Sequence, residues 1–329
     1  MYNTFRKLVV FATIWLSASA AHSQGKADLL KPKFTNSERF GETFTASFLG
    51  KDGSVFLFQY VFSNAGFGDK KAACRLLSVP KGSRGKNQAQ RVDRDGWTFN
   101  QSKRTLTVGK CSLQDEGGTL WFRTEFDGVK TVLHIDGPLR PRRFPKLPIK
   151  KGFFEAEVLA ADGNAFVSFG KKGASLPPKA GKNQLFGRAY FDHTRSTAVM
   201  SDMFSAVYRV RLLKADETIL FNVSTGPLGT RGWSYFFGDT KLAPLAAGNI
   251  QIRPNRSKPS LTVKLPSGIA KVTTERVVYR YRPAESYGML GRMASPIIGN
   301  PETTTFIVNV TLADGTVRKG LMERTLVEP

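Results

Sequence analysis

The chain has 329 residues, 41% of them hydrophobic, and 49 Lys and Arg against 26 Asp and Glu give it a net charge of +23. Such length suits one large core or two domains of ordinary size. Three His and two Cys exclude a His-rich metal site, and in an exported chain the basic balance favours anionic membranes, polyanionic glycans or acidic ligands over nucleic acid.

At the N-terminus, Arg6 and Lys7 precede an uncharged run, Leu8 to Ala21, too short to span a bilayer. Small residues then lead into Ser23, Gln24 and Gly25. This is the pattern of a signal peptide over residues 1–23, cleaved after Ser23, with the Ala18, Ser19, Ala20 site as the alternative. The expected location is periplasmic or secreted. No Cys lies near the cut, which argues against a lipid anchor, and charges, Gly or Pro interrupt every later apolar stretch.

Strand signals dominate from residue 24 to 137. Glu42–Phe48 and Val55–Phe62 flank a Lys51-Asp52-Gly53 turn, the pattern of a hairpin. Ala72–Val79, Arg104–Val108, Thr119–Phe126 and Thr131–Asp136 follow, with a second tight turn at Asp127-Gly128. Cys74 and Cys111 could form a disulfide worth roughly 3 to 4 kcal/mol, or remain two buried thiols. Residues 138–151 alternate Pro138, Pro141, Pro145 and Pro148 with six basic side chains. Prolines at that density block ladder pairing, so this segment reads as a linker or strap between domains.

Residues 152–329 restart the pattern. A hairpin turning at Asp162-Gly163 is expected from Phe153–Leu159 and Ala165–Phe169. Strands then follow at Leu185–Phe191, Ser205–Leu213, Thr218–Val223, Trp233–Phe237, Asn249–Arg253, Ser260–Val263, Val272–Tyr281, Thr304–Leu312 and Thr316–Leu326, with turns at Ala215-Asp216 and Asp314-Gly315. One short helix is expected near Glu285–Arg292. Gly-Lys-Asn-Gln occurs at Gly85–Gln88 and at Gly181–Gln184, thin evidence of duplication. The fold class is all-β, a sandwich or barrel in each half.

The sequence lacks His-Glu-x-x-His, Gly-x-Ser-x-Gly and Walker signatures. His134 lies in an alternating strand with no acidic cluster and reads as structural. The richest segment is Leu185–Thr194, which places Tyr190, Asp192 and His193 in an otherwise buried strand. Alternation puts Arg188, Tyr190 and Asp192 on one face and Ala189, Phe191 and His193 on the other, so Asp192 and His193 cannot both point inward without a bulge. An outer Arg188–Asp192 pair with His193 partnered in the core is the structural alternative. The 25 Phe against 8 Tyr could line a lipid cavity or simply fill cores.

Gly187-Arg188-Ala189-Tyr190-Phe191-Asp192-His193 resembles the Gly-x-x-Tyr-x-Asp-His signature of the superfamily that joins AttH-like proteins, bacterial carotenoid 1,2-hydratases and the yeast survival-factor lipid-transfer proteins. The hairpin from Phe56 to Val79 is similar to that superfamily's first-domain Gln-x-x-Tyr-Ser-Asn hairpin, and Gly320-Leu321-Met322-Glu323 to its closing Gly-x-x-Glu strand. The resemblance implies two tandem antiparallel lipocalin-like (calycin) β-barrels holding hydrophobic molecules, with Tyr190, Asp192, His193 and Glu323 as ligand-site groups. Thr194, Arg195 and Ser196 stand where hydratase-like members carry a Trp-Gly stretch, which argues for binding over catalysis.

The resulting expectation is an exported, monomeric carrier of a lipid or isoprenoid that touches anionic membranes, without cofactor, metal or nucleic acid. Tyr190 and Asp192 are the preferred pocket groups, and His193 a structural partner. The alternative is a hydratase or isomerase in which Asp192 or Glu323, kept neutral in an apolar site, protonates a double bond. A third reading is a basic envelope-binding protein with no pocket chemistry.

Overall fold

A computed structural model describes residues 29–64, 69–144, 147, 149, 151–171, 183–213, 218–236, 238–265, 267–282 and 300–328. The expected signal peptide, the Ala215-Asp216 turn, the Glu285–Arg292 helix and part of the second Gly-Lys-Asn-Gln lie outside these residues.

Two large antiparallel sheets, each curled into a nearly closed barrel, account for the described chain. The first comprises β1 (Gly41–Gly50), β2 (Val55–Ser63), β3 (Lys71–Val79), β4 (Lys86–Val92), β5 (Trp97–Asn100), β6 (Thr105–Val108), β7 (Cys111–Glu116), β8 (Thr119–Phe126), β9 (Val129–Asp136), β10 (Arg142–Arg143), β11 (Phe154–Lys171) and β12 (Gln184–Ser196). Its order is β4-β3-β2-β1-β12-β11-β9-β8-β7-β6-β5, with β10 beside β11. A four-residue helix, Met200–Met203, lies in the link to the second sheet.

That second sheet holds β13 (Ala206–Leu212), β14 (Ile219–Thr225), β15 (Arg231–Phe236), β16 (Ala243–Leu245), β17 (Ile250–Arg253), β18 (Ser260–Leu265), β19 (Gly268–Tyr281), β20 (Asn300–Thr311) and β21 (Val317–Glu328), ordered β16-β15-β14-β13-β21-β20-β19-β18-β17. Both barrels share one plan. The first strand pairs the last, and the two edge strands, β4 and β5 or β16 and β17, are consecutive and joined through a single 3-10 turn. The Gly-Lys-Asn-Gln match does not track this repeat: Gln88 lies on β4, whereas Gln184 opens β12.

Alternation explains the cores. Phe44, Ala46 and Phe48 of β1 join Phe56, Phe58, Phe122 and Phe191 inside the first barrel, and each fully buried Phe contributes about 1.5–3 kcal/mol. The phenylalanines therefore fill this barrel. The second is filled likewise by Tyr208, Val210, Phe221, Phe306, Val308 and Met322. The Cys74–Cys111 disulfide is formed and staples β3 to β7. Near the seam the Trp97 indole N–H donates to the Lys70 carbonyl at 2.8 Å.

Two expectations are corrected. Phe153–Phe169 is no hairpin turning at Asp162-Gly163: β11 runs through it, with register shifts between Val158 and Gly163. Asp162 is held by Arg188, and a Cβ on Gly163 would stand 2.5 Å from Ile135, so the glycine answers close approach of β9. The boundary also moves. Residues 138–151 join β9 to β11 within the first sheet, and β12 closes that sheet against β1, so the division falls between Ser196 and Ala206. The strap is partly a strand itself, since the Arg140 and Phe144 N–H groups donate to the Leu159 and Ala156 carbonyls at 2.8 and 2.9 Å.

The barrels pack through the outer faces of their strands. Val158, Ala161 and Tyr190 meet Leu213, Leu220, Trp233 and Tyr235. Val55, Leu57, Leu77 and Val79 meet Ile307 and Leu321. Strands β1 and β12 are thus buried on both faces, inside by their own core and outside by the second barrel.

Candidate functional site

Because β12 is covered on both sides, Asp192 and His193 are both buried, 4% and 5% exposed, without any bulge between them. His193 turns into the first barrel; Tyr190 and Asp192 turn toward the second. The two halves of the sequence signature therefore belong to different environments.

On the inner side, the His193 ring stacks on Phe44 at 4.4 Å and 10°. Its Nε2 lies 2.7 Å from Glu42 Oε1 and its Nδ1 3.1 Å from Glu157 Oε1. Burial opposes charge on the ring, but the hydrogen bonds to Glu157 and Glu42 prevail and raise its pKa above the usual 6.5. Burial likewise pushes Glu157 up, but the His193 bond together with the charges of His193, Arg143 and Lys33 outweighs it, leaving that carboxyl below its ordinary 4.5. The imidazolium sits between two carboxylates with both nitrogens engaged. The three groups cannot converge on one ion, and no group of three or more His, Cys, Asp or Glu among the described residues is placed to hold a metal.

This array borders a cavity of about 600 Å³ at the rim of the first barrel. Its polar lining is His193, Glu157, Lys33, Arg143, Glu155 and Arg195; Phe144, Leu147, Ile149, Phe153 and Phe154 are its large apolar lining. The strap supplies Arg143, Phe144, Leu147 and Ile149. Phe144 is anchored edge-on to Trp233 of the second barrel at 4.5 Å, and Arg142 lies over Tyr235 at 4.8 Å. One short segment thus both walls the cavity and grips the partner barrel.

On the outer side, Asp192 faces Arg211 of β13, with Oδ2 to Nη2 at 3.7 Å. Arg211 pairs closely with Glu323 of β21 and lies over the Tyr190 ring at 4.7 Å. All four are buried to 4% exposure or less. Desolvation raises the Asp192 pKa, with Arg209 and Arg211 only partly offsetting it. It opposes ionisation of Glu323 as well, but there Arg211 prevails and the pKa falls. Burial also lifts the Tyr190 phenol. Arg188 pairs with Asp162 and Asn164, which corrects the expected Arg188–Asp192 pair.

Of the residues marked in sequence, Tyr190, Asp192 and Glu323 come together between the barrels, and none of them borders the cavity; His193 does. His134 stacks on Phe166 and packs on Trp121, both at 4.5 Å. Sequence reasoning missed Glu42 and Glu157. The signal for Glu42 was present, since it shares the phase of Phe44, Ala46 and Phe48 and so joins the inward set. Arg211 gave none, because its face of β13 reads as an outer surface until the partner barrel covers it. A second cavity of about 440 Å³ opens beside Ile219, Leu265, Ile269 and Leu312, with Asp314 as the charged group among its described lining.

No protein-family model matches the chain, and no curated protein matches it in sequence. Among solved structures, a protein assigned as AttH from Nitrosomonas europaea superposes with a TM-score of 0.58 at 13% identity, over 88% of this chain and 93% of that one. Kievitone hydratase from Nectria haematococca superposes with a TM-score of 0.54 at 8% identity, over 92% and 94%. At such identities the likeness is one of fold. The tandem lipocalin-like barrel architecture implied by the Gly187–His193 segment is therefore shown.

Proposed function

We propose that this chain is an exported tandem-barrel protein that binds a hydrophobic molecule, a lipid or isoprenoid, at the mouth of its first barrel, and that its basic surface meets anionic membranes. The observation that carries the reading is the cavity of about 600 Å³ walled by Phe144, Leu147, Ile149, Phe153 and Phe154. Its size falls within the range of small-molecule sites, and a lining that is both aromatic and charged suits a molecule with an apolar body and a polar end. The Phe-filled interior of the first barrel supports a rim position in preference to a central calyx. Export is supported by the Arg6 to Ser23 pattern, and membrane contact by the +23 charge.

Native mass spectrometry of protein purified from the exporting cell should find a co-purified lipid, and a fluorescent lipid should be taken up saturably and lost in Leu147→Arg. Failure of both to detect any ligand would end this reading. Binding to anionic vesicles should weaken as salt rises from low to physiological strength.

A hydratase or isomerase is the second reading, favoured by the likeness to kievitone hydratase and by a protonated His193 beside the cavity. Against it stand Asp192 and Glu323, the acids it needs, which lie between the barrels. Turnover of a polyene that survives Asp192→Asn and disappears in His193→Asn would favour the enzyme.

A further inference from the structure

The charges around the first-barrel cavity do not balance, and the imbalance has one sign. Each carboxylate there is already taken. Glu155 accepts from the Arg195 Nε at 2.8 Å; Glu157 is bound to His193 Nδ1 at 3.1 Å; Glu42, behind them, is bound to His193 Nε2 at 2.7 Å and accepts the Lys33 backbone N–H at 2.7 Å. The single His193 charge offsets only one of its two carboxylates, so the Lys33 ammonium and the Arg143 guanidinium, which act on Glu157 without bonding it closely, leave one positive charge in excess. Arg143 comes no closer to Glu157 than 3.8 Å, with its side chain 89% exposed.

The covering strap cannot restore neutrality. Its sequence from Pro138 to Lys151 holds no acidic residue, and the charged group it lends the described lining is Arg143. A concave site with low-dielectric walls focuses that potential on its contents.

We propose that the ligand of this cavity is an anionic amphiphile: an acyl or isoprenoid chain lying on Phe144, Leu147, Ile149 and Phe153, ending in a carboxylate or phosphate held between Lys33 and Arg143. This rests on the reading of the cavity as a ligand site and adds the charge of the ligand. An uncharged chain of the same length gains only the apolar wall. A cationic amphiphile meets repulsion from Lys33 and Arg143.

The test compares hexadecanoic acid, hexadecyl phosphate and hexadecanol as competitors of one fluorescent lipid, at low and physiological salt. The acid and the phosphate should each compete about tenfold more tightly than the alcohol at low salt, a gap that narrows as salt rises. Lys33→Gln with Arg143→Gln, both exposed positions that should leave the melting temperature unchanged, should weaken the two anions about fivefold and leave the alcohol within about twofold. An alcohol that binds as tightly as the acid overturns the charge assignment while preserving a hydrophobic site. If none of the three competes, the cavity is no lipid site and the inference falls with that reading. Equal weakening of anions and alcohol by the double substitution would overturn the role of Lys33 and Arg143.

Discussion

Two carboxylates from facing sheets, in one buried interface, are held in opposite ways. Glu323 pairs closely with Arg211, whereas Asp192 stands 3.7 Å from the same guanidinium and is raised mainly by desolvation. A carboxyl whose folded pKa lies above its unfolded value stabilises fully below that unfolded value, here 3.8, and loses this contribution as pH rises through the folded one. At neutral pH Asp192 is therefore a burden, and Asp192→Asn should leave stability unchanged or raise it. Glu323→Gln leaves Arg211 only the more distant Asp192 and should cost about 3 kcal/mol by chemical denaturation. The His193 array has its own window. A His pKa raised above 6.5 gives a contribution complete below about pH 6.5 and lost as pH rises through the folded value; the depressed Glu157 gives one complete above about pH 4.5 and lost as pH falls. Stability should peak between these limits, and His193→Ala should cost about 3–5 kcal/mol and flatten the alkaline side of the profile.

Among the elements, β12 carries most of the information. Gly187 is needed where β12 pairs with the end of β1 opposite Gly50, because a Cβ there would stand 2.1 Å from the Leu49 carbonyl oxygen. Its alternation correctly separates Asp192 from His193, yet alternation cannot say that both faces are covered. The same limit explains β11. An Asp-Gly pair is the strongest short hairpin signal, and at Asp127-Gly128 it holds, with both residues at positive φ, +50° and +73°. At Asp162-Gly163 the pair instead serves the Arg188 clamp and the close contact with Ile135. Local chemistry is the same in both places; only the neighbouring strand differs. The disulfide belongs to this scale as well. Replacing Cys74 and Cys111 with Ala should cost about 4 kcal/mol, from a closed loop of 37 residues, provided the core tolerates the swap. Alkylation of the native chain without reductant should leave both cysteines unlabelled.

For the molecule as a whole, the barrels share a buried interface instead of hanging from a linker. Trp233, Tyr235 and Leu220 lie under Val158 and Tyr190, and Arg75 of the first barrel lies over Tyr281 of the second at 3.9 Å. Calorimetry should show a single cooperative transition, whereas two separated transitions would mean that the interface contributes little. The amino-acid sequence by itself determined the all-β class, the tight turns at Asp52-Gly53 and Asp127-Gly128, the separation of Asp192 from His193 onto opposite faces, and the family likeness of Gly187–His193, because these depend on steric preference and two-residue periodicity within a strand. Tertiary structure alone decided that β11 and β12 belong to the first barrel, that Cys74 meets Cys111, and that Tyr190, Asp192 and Glu323 gather around Arg211 while His193 borders the cavity. Those outcomes depend on which distant surfaces cover one another, and periodicity along a strand carries no record of what lies across from it.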